Sequence, residues 1–257
     1  MKNSYLTKVS IGFLLFAPII LTGCDLKEKY KRTVDLPLAI IAGQKLVVHT
    51  EVGSIKVTGS NTQQGSIKAK ITGKGDTIEK AQEVAQDVNI TVKDDNNNIY
   101  IEINKPLEIK SDWYSVDYTI EVPENVSLEY KTNVGSATVS NVKGDIAASC
   151  NVGSITCENA WGRANLNVNV GYISLAYADD ANSQANAEIS VNVGSIDFKC
   201  PQNMSAKLNV SANVGSIHTS LPITVTGNIC SKNLNGTVGQ GQGNVRLKTD
   251  VGSIKIR

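Results

Sequence analysis

The chain offers few residues with which to do chemistry. Its two histidines, His49 and His218, stand far apart in the sequence. A zinc site or a Ser–His pair needs more partners than either has nearby, so both are read as solvent-facing. The adjacent acids Asp179 and Asp180 lie in "AYADDANSQ", which makes Tyr177, Asp179, Asp180 and Asn182 the candidate binding loop. Cleaving a polysaccharide needs acids, or calcium-binding carboxylates, grouped with Arg or Lys on one face. Elsewhere in the stack acids such as Asp145, Glu158, Glu188 and Asp197 are scattered. "GQGQG" (residues 239–243) would cradle phosphate only if a helix followed. "NVRLKTDVGSI" follows instead and is strand-like, so the glycines are read as a tight corner. No catalytic residue, metal or cofactor is assigned.

Cysteine chemistry divides in two. Cys24 closes "LTGC" (residues 21–24), after Lys2, Lys8 and the apolar run "IGFLLFAPIIL". That run is shorter than the ~20 residues of a membrane span and fits a secretory signal peptide, residues 1–23. "LTGC" resembles the lipobox of bacterial lipoproteins, which implies cleavage before Cys24 and acylation of that residue, a palmitate-type anchor in the membrane. Asp25 beside it resembles an inner-membrane retention signal and favours the periplasmic face, with the outer membrane as the other destination. Cys150 and Cys157 fall on inward positions and are expected to be buried thiols. Cys200 and Cys230 lie nearer the outside, and export leaves a disulfide between them open.

What must position these residues is a repeat. The phrase "NVGSI" begins at Asn151, Asn192 and Asn213, with looser copies from Glu51, Asn133, Asn169 and Asp250, at intervals of roughly twenty residues. Taking each glycine as origin, the residues one, three, five and seven places before it are mostly apolar. Val152, Val170 and Val193 are examples of the first of these. Those two and four places after it are also apolar, as at Ile155 and Cys157. Period-two alternation predicts half-buried strands, and the change of phase across the glycine predicts a corner. A second small residue nine places earlier (Gly144, Gly162, Ala185, Ala206, Gly227, Gly243) predicts another.

One such unit buries too little to stand alone, so units must stack. The fold expected is all-β, a parallel β-solenoid (β-helix) of Gly-Ser-Ile coils; a β-sandwich of hairpins is the alternative. Outward asparagines two places before each corner (Asn133, Asn151, Asn169, Asn192, Asn213) would form a ladder, either bonding the corner or offering an amide-rich surface to sugar. The final "VGSIKIR" reads as the last coil. Its edge would be open to a second copy end to end, or to an envelope protein, unless Lys255 and Arg257 blunt it.

Between the first coil and the rest, residues 73–125 break the repeat. "DTIEKAQEVAQDV" predicts a helix capped by Asp76, with Ile78, Ala81, Val84, Ala85 and Val88 on one face. "NITVKDDNNNIYIEI" predicts a hairpin around residues 94–98, and "VDYTIEVPENVSLEY" two strands about a Pro-Glu-Asn turn. The insertion would cap the open end of the stack. Residues 24–35 are expected as a tether and residues 36–257 as the solenoid domain.

"GSIKVTG" (residues 53–59), the helix after it, and "VDYTIEVPENVSLEYKTNVGSATVSNVKGDI" (residues 116–146) followed by stacked Gly-Ser-Ile coils are similar to a bacterial family. It is the "putative adhesin" family, a domain of unknown function with β-strand repeats. The resemblance implies a β-helical fold and an envelope location, and it brings no catalytic motif. A net charge of +1 gives no field for nucleic acid. The expected function is a membrane-anchored envelope lipoprotein presenting a rigid solenoid to a protein or glycan, without catalysis. A carbohydrate-active enzyme on the same scaffold is the alternative.

Overall fold

The computed structural model describes residues 27–221, 224–225 and 233–257. Residues 1–26, which hold the expected signal peptide with Cys24 and Asp25, lie outside the described residues, as do Gly227 and Cys230. The chain opens with β1 (Glu28–Leu38), β2 (Lys45–Val52), β3 (Ile55–Ser60) and β4 (Gly65–Gly75), then the helix α1 (Ile78–Asp87). The hairpin β5 (Asn89–Asp95) and β6 (Asn98–Asn104) follows, then β7 (Tyr114–Pro123). Four long strands come next: β8 (Ser127–Ser140), β9 (Ile146–Ala160), β10 (Ala164–Tyr177) and β11 (Asn186–Lys199). The chain continues with β12 (Ala206–Thr219), β13 (Thr224–Val225), β14 (Asn233–Val238) and β15 (Gly243–Ile256). The protein is thus mostly strand with one α-helix, and its repeats are joined by parallel pairing into a solenoid-like stack.

Equivalent residues of the phrase stand side by side. Gly135 pairs with Gly153, Gly153 with Gly171, and Gly171 with Gly194. The corner demands glycine for two separate reasons. Gly171 has φ +148°, where a side chain is strained. A Cβ there would also lie 1.7 Å from the Gly153 carbonyl oxygen. The second corner is as tight, since a Cβ on Gly162 would come within 2.3 Å of the Gly144 oxygen.

The inward columns sit three, five and seven places before the glycine and two and four after it. In β10 these are Val168, Leu166 and Ala164, then Ile173 and Leu175, all buried. Cys150 and Cys157 are buried in the same columns, each unbonded to another cysteine. Burial pushes the Cys157 thiol up to about 12. The Cys150 sulfur donates to the Gly135 carbonyl at 3.2 Å.

The valine one place before the corner is a correction. Val152, Val170 and Val193 are 49%, 44% and 48% exposed. Register passes from Val168↔Val191 to Val170↔Val193 and omits Asn169 and Asn192. Asparagine and valine therefore both face outward, and the phase changes before the glycine.

The order of coils is a second correction. β15 does not follow β12 but lies between β11 and β12, parallel to both, with Gly252 opposite Gly194 on one side and Gly215 on the other. The last phrase is therefore interior to the sheet and offers no edge for end-to-end docking. "GQGQG" carries the chain from β14, on the far side of β12, across the start of β12 into β15. Gly239 and Gly241 have φ +58° and +69° there. Ser205 Oγ accepts from the backbone of Gln240 and Gln242 at 3.0 and 3.4 Å.

At the other end the insertion covers the first coil. β6 pairs with β2, and β7 with β3, while β4 and β1 extend that sheet antiparallel. Residues 24–35, expected as a tether, are strand from Glu28 on, because β1 pairs with β4 along its whole length and its alternating Tyr30, Val34 and Leu36 pack against the core. The helix is capped by Thr77, whose hydroxyl accepts from Lys80 N at 3.3 Å, rather than by Asp76. Ala81, Val84, Ala85 and Val88 are buried as the spacing predicts, but Ile78, predicted on the same face, is exposed in the first turn. Arg32 of β1 donates to the carbonyls of Ala85 and Val88 at 2.7 and 2.6 Å, closing the helix C-terminus. Among the described residues no helix is long and apolar enough to cross a membrane.

Candidate functional site

Because the backbone of each coil is committed to its neighbours, only outward side chains can meet a ligand. Those two and four places before the corner line a groove of about 710 Å³ that runs across β2, β8, β9, β10 and β11. Its floor includes Asn133, Asn151, Asn169 and Asn192, with Ser149 and Asn167 beside them. The amides are partly bonded to each other: Asn151 Nδ2 donates to Asn133 Oδ1 at 3.1 Å, and Asn192 Nδ2 to Asn169 Oδ1 at 2.7 Å. In this pairing one amide uses a donor and the other an acceptor, which leaves further hydrogen-bonding capacity on both.

Charge is confined to the two ends. At the β2–β8 end Glu129 accepts from Lys131 at 2.7 Å and Lys45 at 3.2 Å, with His49 Nε2 at 3.4 Å. The Lys131 hydrogen bond, opposed by partial burial and helped by Lys45, holds the Glu129 carboxyl down at about 2. Beyond the other end Lys248 pairs with Asp250 at 3.3 Å, and Asp250 accepts from Asn213 at 2.8 Å. No carboxylate lines the groove itself.

The loop singled out in the sequence lies on another part of the surface. Tyr177 is buried, and its hydroxyl donates to the Asn186 carbonyl at 2.9 Å, so its side chain belongs to the core. Asp179, Asp180 and Asn182 are exposed. Asp179 meets Lys199 at 3.4 Å, Asp180 accepts from Trp161 Nε1 at 3.0 Å, and Asn182 accepts from Gln184 N. Three of the other acids find partners on neighbouring coils: Asp197 holds Arg257 at 3.0 Å, Asp145 accepts from Arg163 N at 2.9 Å, and Glu188 lies 4.0 Å from Arg246. His218 reaches only Ser216, at 3.1 Å. Among the described residues no group of three or more His, Cys, Asp or Glu side chains comes together.

No family model matches the chain, and no curated protein matches it. Several solved structures are similar to it along most of its length. One is described as a "putative cell adhesion protein" from Clostridium sporogenes: 15% identity, 90% of this chain and 98% of that one covered, TM-score 0.48. A "putative adhesin" from Bacteroides fragilis gives 16% identity, coverage of 89% and 97%, and a TM-score of 0.40. Another from Parabacteroides merdae gives 11%, coverage of 88% and 96%, and 0.35.

Two surface features escaped the sequence reading. The valines one place before the corner form an outward ridge beside the asparagines, from Val134 to Val214. Reading them as core followed from carrying the alternation one step too far. Trp161 joins three turns, since the Lys143 ammonium lies 5.6 Å from its ring centroid while its indole bonds Asp180. The small residue nine places before each corner marks these turns; an aromatic next to it at Trp161 was the available signal.

Proposed function

We propose that this chain is a non-catalytic cell-envelope lipoprotein, anchored through Cys24, that presents the asparagine-floored groove for adhesion-type binding. The observation that carries the binding half is the groove itself: a concave surface whose lining holds no carboxylate and repeats the same short polar side chains on successive strands. Its framework is rigid, because every coil shares backbone hydrogen bonds with the next. The charged and titratable side chains of its lining, His49 and Lys131, are both held on Glu129 at one end and no carboxylate lines the floor, so the chemistry it supports is recognition rather than cleavage. The anchoring half rests on "LTGC" and the segment before it. Asp25 supports retention at the periplasmic face of the inner membrane.

Anchoring is tested by Cys24→Ala, which should move the protein from the membrane to the soluble fraction and end acyl labelling. Continued membrane association would contradict it. Binding is tested by coupling the anchored protein to vesicles and measuring their attachment to isolated envelope material. Asn169→Asp should abolish attachment while thermal melting stays unchanged; undiminished attachment would remove the groove from the account.

A further inference from the structure

We propose that the groove takes a neutral, hydroxyl-rich polysaccharide laid along the stack, across the strands. This rests on the reading of the groove as the binding surface and names its occupant. Three features of the site select that chemistry.

The first is charge. From β9 to β11 the polar floor is built of Asn and Ser beside Cys150, and the charged or titratable lining residues His49 and Lys131 are confined to the β2–β8 end. The cations at the β2–β8 end are already shared with Glu129, and Lys248 beyond the other end is paired with Asp250. An acidic polymer would find no row of free cations, and a basic one no carboxylate. The second is hydrogen bonding. A carboxamide both donates and accepts, as a sugar hydroxyl does, so each rung can satisfy a hydroxyl in either role. A peptide strand would need free backbone groups at a sheet edge, whereas the backbone of β8, β9, β10 and β11 is paired on both sides. The third is spacing. Rungs recur at the strand separation of about 4.8 Å, close to the length of one pyranose in an extended chain. Five strands therefore present about 20 Å of floor, room for roughly four sugars. Asn and Ser also lose little rotamer freedom on binding compared with Lys, Arg or Gln.

The test uses the full folded chain and two oligosaccharide series, neutral β-linked glucose oligomers and acidic galacturonate oligomers, each from disaccharide to hexasaccharide, measured by titration calorimetry. The neutral series should bind with affinity that rises with length and levels near the tetrasaccharide, and should be insensitive to salt. Asn151→Asp and Asn169→Asp should each weaken binding by about tenfold, the worth of a hydrogen bond or two. Asn169→Asp keeps the acceptor that Asn192 uses and should not change the melting temperature, whereas Asn151→Asp loses its bond to Asn133 and should lower it slightly. Tighter, salt-dependent binding of the acidic series would overturn the proposal, as would neutral binding that the two variants leave intact. If no neutral oligomer binds but Asn169→Asp still abolishes vesicle attachment, this occupant is wrong and the binding groove stands. If the variant leaves attachment intact as well, both fall.

Discussion

The regular stack and the N-terminal cap solve the same packing problem in opposite ways. In the stack, from β8 to β11, each level repeats the last, and neighbouring backbones close to within a glycine's width at both corners. In the cap, β1, β4 and β7 pair antiparallel and carry large side chains, with Tyr114 and Tyr118 buried beneath them and α1 packed behind. The difference teaches where each region is vulnerable. The stack depends on backbone approach, which a single Cβ can block. The cap depends more on side-chain packing and on individual hydrogen bonds, which yield by degrees, and comes as close only locally, as where a Cβ on Gly73 would lie 2.2 Å from the Ala81 oxygen of α1.

The largest expected effect comes from putting that contrast to glycine. Gly171→Ala would force a Cβ to 1.7 Å from a carbonyl oxygen at a strained φ, and should leave no cooperatively melting protein. Gly43→Ala, in the turn before β2, meets nothing within 4 Å despite φ +89°. It should cost only about 1–2 kcal/mol in urea denaturation. Comparable losses at both sites would break the comparison.

Next in size is Arg32→Leu. Freeing the helix-end carbonyls should cost about 1–3 kcal/mol. Hydrogen exchange should quicken in α1 and β1 and stay unchanged in β9 and β10. An effect spread evenly over the chain would mean that cap and stack unfold as one unit.

A smaller effect is expected at the joint between the regions. The carboxyl of Glu129 is held at about 2 in the folded chain, below its ordinary value of 4.5. A depressed folded value contributes stability that is present above the ordinary value and lost as pH falls toward 2. In the wild type, melting temperature should therefore decline over that window, and Glu129→Gln should flatten the decline. A variant that tracks the wild type down to pH 2 would show that the cluster adds nothing.

The smallest effect is at Tyr118, whose hydroxyl is buried with no hydrogen-bond partner among the described residues. Tyr118→Phe removes an unpaired polar group and should be neutral or stabilising by up to about 1 kcal/mol. Destabilisation would mean that the hydroxyl has a partner.

How much of this was legible in the sequence follows from what a periodic pattern can carry. Leu166, Ile173 and Leu175 were assigned inward and are buried, because alternation within a straight segment is unambiguous. The glycines of "NVGSI" were assigned to a corner and occupy one. Val152, Val170 and Val193 were misplaced because two consecutive residues face outward there, and alternation gives no warning of where in the phrase the phase slips. The order of coils was beyond reach for a related reason. Phrases built from one register are interchangeable neighbours, so β12 can pair with the phrase at Asp250 as readily as with the one at Asn192. The floor asparagines were noted as a ladder, but the groove depends on how side chains of several strands enclose space, and no spacing in one dimension encodes that. Tyr177 entered the candidate loop because its neighbours are polar; the inward column it continues was the better guide.

The most direct test of the account sets two adjacent residues against each other. Asn169 lies on the groove floor and Val170 on the ridge outside it, both on β10 and both outward. Asn169→Asp and Val170→Asp place the same charge one residue apart. Each variant, anchored on vesicles, is assayed for attachment to envelope material and for melting temperature. The account predicts that both variants melt as the wild type does, and that Asn169→Asp alone loses attachment. Unfolding by Val170→Asp would return that valine to the core, and attachment that survives Asn169→Asp would take the binding site away from the groove.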